Sequence, residues 1–226
     1  MPRLPATKTK KSDATRAHIM EAAFRLFRKN GVSGTTMRAI SVEAGVAYGL
    51  AYKYFASKDA LVLAFYYGHH DKHMALMETR VRAAPVREPG DRMAQLLEAQ
   101  LDAMAHNDDK LLRSLAQSVM DSESPTWLFS PETQDLRDRT ALLIRWALEH
   151  AGMEGDALDV LARGLWAVQM GVLYFSVHDA SKGRVRTRAL IAGVKDMLNG
   201  LAALGPFAAP MLEQVACVMR KASVPL

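Results

Sequence analysis

The sequence predicts an all-α protein: a helix-turn-helix unit of three helices over residues 13–60, preceded by a flexible basic arm over 1–12 and followed by a helical bundle over 61–226. Three observations lead there. Apolar residues recur at three- and four-residue spacing between breaks rich in Gly, Pro and Asp, and no alternating strand pattern occurs. The segment Thr35 to Phe55, TTMRAISVEAGVAYGLAYKYF, reads as two very short helices joined by a glycine turn. The positive charge is local: residues 1–60 hold 11 Lys and Arg against 4 Asp and Glu, net +7, whereas residues 61–226 hold 18 against 20, net −2.

In chain order, the arm carries Pro2, Pro5 and the cations Arg3, Lys8, Lys10 and Lys11. A first helix is expected from Thr15 to Lys29, with Ile19, Ala23, Phe24 and Phe27 on its apolar face and Asn30-Gly31 as its stop. Thr35 is placed to cap a second helix in which Met37, Ile40 and Ala44 share one face. Gly45 permits a tight turn, and Val46 to Tyr54 contains a third helix whose Val46 and Ala51 return small apolar groups to the same core. Helices this short are marginal alone, so their neighbours must hold them. Ser57 can cap a fourth helix, in which Leu61, Ala64, Phe65 and His69 to Met77 keep helical spacing up to Pro85. Further helices are expected over Asp91 to His106, Asp108 to Met120, Glu132 to Ala151, Asp156 to His178, Thr187 to Leu204 and Phe207 to Arg220.

Composition excludes several classes. A single cysteine, Cys217, leaves no intrachain disulfide, fits a reducing compartment, and sits in an apolar run as a small hydrophobe. The basic start is not followed by an apolar stretch and cleavage site, and the longest apolar region, Leu161 to Val177, is interrupted by Arg163 and Gln169. A cytoplasmic protein without a membrane span is the expectation. His69, His70 and His73 fall on one helix, but the glutamate that follows the first histidine of a zinc-protease motif is absent. Neither a phosphate-binding glycine loop nor a nucleophile elbow occurs, so catalysis, a metal and a cofactor are not expected. A basic patch coinciding with a helix-turn-helix pattern points to the phosphates and major groove of double-stranded DNA. The alternative is a helical interaction protein whose basic head meets an acidic protein partner.

The stretch from Thr15 to Ala64 resembles the amino-terminal DNA-binding domain of the TetR family of bacterial transcriptional regulators. The matching pieces are IMEAAFRLFRKNG at 19–31, TTMRAISVEAGVAYG at 35–49 and YKYFASKDAL at 52–61. The resemblance makes Ala47 to Tyr54, Lys53 included, the recognition helix. Where the family often has serine, lysine and threonine, this chain has Ala47, Tyr48 and Leu50, which removes a cap and two polar donors; Tyr48 can set its ring against a thymine methyl, and Leu50 can make only apolar contact. Gly49 matches a family glycine that permits close approach to DNA, with crowding inside the protein as the other reading. Tyr52 is expected on a phosphate, Tyr54 replaces a customary histidine, and Phe55 anchors the core. Lys58 matches a family lysine set against phosphate, with a solvated surface lysine as the alternative. Thr36 and Arg38 add contacts from the second helix.

The resemblance further implies a homodimer on a palindromic operator and a small-molecule effector that releases it. The family's dimer interface maps onto Asp156 to His178 and Thr187 to Leu204, through Leu161, Leu165, Val168, Val172, Leu190, Val194, Met197 and Leu201, some of which close the monomer's own core. An effector site is expected among Phe65, His69, Met104, Leu115, Met120, Trp127, Phe129, Trp146, Trp166, Gln169, Met170 and Tyr174, whose aromatic and flexible surface favours an apolar or aromatic ligand.

Overall fold

The computed structural model describes residues 6–83, 86–104, 109–155 and 158–204, with Pro210, Gln214 and Cys217. The expected helix from Phe207 to Arg220 lies otherwise outside the described residues, as do Met1–Pro5 of the arm. Among the described residues the structure is all-α: α1 (Ala6–Asn30), α2 (Met37–Glu43), α3 (Tyr48–Tyr54), α4 (Lys58–Ala83), α5 (Pro89–Met104), α6 (Asp109–Ser118), α7 (Gln134–Glu149), α8 (Leu158–His178) and α9 (Val185–Ala203), with single 3-10 turns before α7 and α9.

Three boundaries differ from expectation for local reasons. α1 begins at Ala6, not Thr15, so residues 6–12 are helical where an arm was expected; Ala and Lys are good helix formers and nothing in ATKTKK interrupts them. The cap of α2 is Thr36, whose hydroxyl accepts from Ala39 N at 3.1 Å, while the Thr35 hydroxyl turns back to donate to Gly31 O at 2.7 Å. α5 starts at Pro89, a residue suited to a first helical position, and not after Gly90. The expected cap of α4 is in place: Ser57 Oγ accepts from Ala60 N at 3.1 Å.

The chain packs as two compact units. The first comprises residues 6–66 and 109–128, the second the other described residues of 67–104 and 129–204. Residues 61–66 and α6 therefore pack with the helix-turn-helix, outside the 13–60 span expected from the sequence. The reason is a shared core: Ile19, Phe27, Ile40, Ala51, Phe55 and Leu61 are buried together with Leu111 and Leu115 of α6. Ser114 of α6 also accepts from Val32 N at 2.8 Å, pinning the α1–α2 loop.

In the second unit α5 crosses α9 closely and packs with α7, and α8 packs against α7 and α9. Met93, Leu96, Leu97, Ile144, Leu148, Leu165, Trp166, Ile191 and Leu198 fill the interior. Two buried arginines tie loops to this core. Arg92 donates to Val81 O and Val86 O, both at 2.9 Å, closing the end of α4, and Arg137 donates to Ser130 O at 2.9 Å. α8 is long and apolar enough by length and composition to span a bilayer, with a mean hydropathy of 1.4, which the count of consecutive apolar residues did not register. Leu165, Trp166, Gln169, Val172 and Ser176 are nonetheless buried on it, and Arg163 pairs with Asp138, so one face of it packs into the unit.

The α5–α9 crossing has little room to spare. A Cβ at Gly90 would lie 2.0 Å from Lys195 O and 2.5 Å from Asn199 Oδ1, and the Gly90 amide donates to that same Oδ1 at 2.7 Å. Asp91 adds an ion pair to Lys195. Gly90→Ala is therefore expected to lower stability by about 1–3 kcal/mol through overpacking. Gly68→Ala, where nothing lies within 4 Å, should hold it or raise it by about 0.5–1 kcal/mol. Urea midpoints of the two variants check both.

Candidate nucleic-acid interface

The candidate interface is built from α2, its turn and α3. Gly45 takes φ +60, a conformation that side chains with a Cβ rarely adopt, and the turn it makes lets Val46 N reach Ser41 O at 3.0 Å. His18 of α1 supports the same turn from below, its Nε2 lying 3.1 Å from Ala44 O, and Arg25 joins Glu43 at 2.8 Å. Only Ala51 of α3 is fully buried. Phe55 follows it into the core as expected, with the Arg16 guanidinium 4.8 Å from its ring centre.

Everything else on α3 turns outward or half-outward. Ala47 opens the helix without a side-chain cap, as the missing serine implied. Tyr48, Gly49, Leu50, Tyr52 and Lys53 are exposed, and Arg38 and Thr36 join them from α2, although the Thr36 hydroxyl is used in capping. The Tyr48 and Tyr52 rings meet edge to face at 4.8 Å, and their hydroxyls hydrogen-bond at 3.1 Å. Sharing that bond with Tyr48 pushes the Tyr52 pKa up. A Cβ at Gly49 would meet nothing within 4 Å, so the protein itself does not demand glycine there.

Two residues have unforeseen partners. Tyr54 is half-buried and its hydroxyl donates to Ser12 Oγ at 3.3 Å. Lys58 donates to Val32 O at 3.1 Å and to Ser33 O at 3.4 Å, stitching the start of α4 to the α1–α2 loop. It is neither an ordinary solvated lysine nor, in this arrangement, a free one.

The residues expected around an effector divide between the units. Phe65, Leu115, Met120 and Trp127 belong to the first: Phe65 stacks edge-on against Phe24 at 5.1 Å, Leu115 is core, and Met120 is exposed. In the second unit Phe129 meets Trp166 edge to face at 5.7 Å, Met104 and Trp166 are buried, Met170 is half-buried, and Tyr174 lies on the exposed side of α8. Gln169 is buried, donates to Gln100 Oε1, and its own Oε1 has no partner. Trp146 lines an open surface groove of about 330 Å³ with Met74, Arg82 and Leu142, apart from the buried aromatic pair. The expected dimer residues divide too. Leu165, Val172 and Val194 are buried within the unit, Leu161, Val168 and Leu201 are half-buried, and Leu190 and Met197 are exposed.

The three histidines of α4 form a cluster that sequence reasoning had set aside. His69 and His73 stack with ring centres 6.4 Å apart, and His70 Nε2 lies 2.8 Å from Thr140 Oγ1. Burial, followed by the neighbouring imidazoles, lowers the His73 pKa to about 3; burial also lowers those of His69 and His70.

Residues 19–65 match the model for bacterial regulatory proteins of the TetR family. This stretch is a TetR-family amino-terminal domain. The chain is 27% identical over 83% of its length to an uncharacterised helix-turn-helix regulator of Bacillus subtilis, YerO, and 27% identical over 55% to the transcriptional repressor KstR of Rhodococcus jostii. The matched parts span 66% and 56% of those relatives' own lengths, less than two-thirds in each case. The fold resembles that of FadR from Bacillus subtilis, solved in complex with stearoyl-CoA, with a TM-score of 0.64, 17% identity, and coverage of 80% of this chain and 96% of that one.

The histidine cluster sets a pH dependence with a definite sign. His73 is neutral when folded and protonates near the ordinary histidine value when unfolded, so the unfolded state binds the extra proton and stability falls as pH drops below about 6.5. Urea unfolding between pH 7 and pH 5 should show a loss approaching about 1.4 kcal/mol per pH unit for each such histidine. His73→Gln should reduce that slope.

Proposed function

We propose that the protein is a ligand-responsive repressor that binds a palindromic DNA operator as a homodimer through α3 and is released by a small apolar or aromatic effector. The observation that carries the DNA reading is Gly49: the side chain is missing at the centre of the exposed face of a helix that the protein leaves uncrowded. Glycine costs helix stability, so its use there fits a surface that another backbone must approach closely. The net charge of +7 in residues 1–60 supplies attraction to phosphate.

The dimer reading is supported by α8 and α9. Leu190, Gly193, Met197, Gly200 and Leu204 recur at alternating three- and four-residue spacing on the exposed side of α9, and Gly171, Tyr174 and Phe175 are exposed on α8. Small residues between large exposed apolar ones suit close packing against a second copy. An effector inside the second unit is supported by the Phe129–Trp166 pair and by the unpartnered buried oxygen of Gln169. KstR's repressor role and the acyl ligand of the FadR structure give precedents for repression and for an apolar effector. Release is a population shift, in which the effector must bind the conformation that does not fit the operator better than the one that does. α4 contributes residues to both units and is one of the covalent routes between them.

Selection of genomic fragments by the purified protein tests the whole reading, and a two-fold symmetric site is the expected product. Two variants separate its parts. Gly49→Ala should keep or slightly raise stability while weakening operator affinity at least about tenfold, near 1.4 kcal/mol, in a titration by fluorescence anisotropy. Met197→Asp, at an exposed position, should leave the protomer folded, with an unchanged helical circular dichroism spectrum, but shift the sedimentation profile from dimer to monomer.

A further inference from the structure

We infer that α3 reads its half-site mainly through thymine methyl groups, with the Tyr48–Tyr52 pair as the reading element. The inference rests on the DNA-binding reading above and names what that surface selects. The inventory of the helix, YGLAYKY, comes first. It has no arginine to fork onto guanine, no asparagine or glutamine to pair with adenine, and no carboxylate to accept from cytosine. Its one cation, Lys53, stands in the last turn and acts as a point charge. What remains at the opening turn is apolar surface, and the major groove offers one apolar group, the thymine 5-methyl.

The geometry makes that surface specific. Tyr48 is 52% exposed and Leu50 37%, and Gly49 between them has no Cβ to hold either away from the groove. The Tyr48 ring is not loose. Its edge-to-face contact with Tyr52 at 4.8 Å and the hydroxyl bond at 3.1 Å hold it in one orientation before DNA arrives, which lowers the entropy lost on docking. Of the two hydroxyl protons, one closes the bond between the tyrosines and the other stays free to be donated to a phosphate oxygen. The pair thus fixes register on the backbone and presents a ring face to the bases.

The test uses the full-length protein and a duplex recovered by fragment selection. Each thymine of one half-site is replaced in turn by uracil, which removes only the methyl group. The wild-type protein should lose about fourfold in affinity per contacted methyl, at one or two adjacent positions. Tyr48→Phe, which keeps the ring, should retain that penalty, and Tyr48→Ala should bind more weakly overall and no longer distinguish thymine from uracil at the position Tyr48 covers. A preferred duplex whose affinity is unchanged by uracil at every thymine, or a Tyr48→Ala protein that keeps the full penalty, overturns the tyrosine assignment alone. A protein that prefers no duplex overturns the DNA-binding reading and the assignment with it.

Discussion

The exposed face of α3 depends on one small buried side chain. Ala51 is the sole fully buried residue of a seven-residue helix, and a helix of that length has no independent stability. Its methyl lets α3 lie close against the core that Ile19, Ile40, Phe55 and Leu61 share. A larger residue at 51 would lift the helix and displace Tyr48, Gly49 and Leu50 together, since overpacking is relieved by backbone shifts. The outward chemistry of the first unit is therefore set by inward packing. Phe55, immediately beyond the helix, adds the aromatic area that a single alanine cannot supply.

The same logic explains the hydrogen bonds around the α1–α2 loop. Gly31 leaves α1 with φ +76, Thr35 returns a hydroxyl to Gly31 O, Ser114 accepts from Val32 N, and Lys58 donates to Val32 O. Loop carbonyls left without partners near a core would carry a desolvation cost, and these side chains remove it. Lys58 can face a phosphate only by leaving or sharing those carbonyls. A cation held at the start of α4, where the helix dipole disfavours it, is compensated by the same two oxygens.

Periodicity made the helix-turn-helix legible, because Met37, Ile40, Ala44 and Ala51 have only one way to share a core. It could not choose between Thr35 and Thr36 as the cap, since both precede the helix and the choice depends on which hydroxyl the loop claims. The membership of α6 in the first unit was hidden for a different reason. Leu111 and Leu115 show an amphipathic stripe but not its partner, and the partner is Val32's loop about eighty residues earlier. On α8 and α9 apolar residues cover more than one face, so the resemblance could name the two helices but not which of their residues face inward, and Leu165, Val172 and Val194 are among those that close the unit's own core. Tyr174, Phe175 and Leu204 are the exposed counterparts, and the alternation of large residues with Gly193 and Gly200 was the available signal.

The composition of α3 also bears on the proposed two-fold symmetry. Seven helical residues rise about 10 Å, which spans roughly three base-pair steps. A methyl contact discriminates by about fourfold, whereas a bidentate pair is worth about 1–3 kcal/mol, so a single α3 of this kind selects weakly. The +7 charge of residues 1–60 increases affinity for every duplex alike and adds no selectivity. Two copies held in fixed relation square the discrimination ratio without adding a residue to the reading face. On the proposed reading, selectivity resides as much in the exposed Leu190 and Met197 of α9 and Leu204 just beyond it as in Tyr48, because a weakly discriminating surface gains most from being used twice.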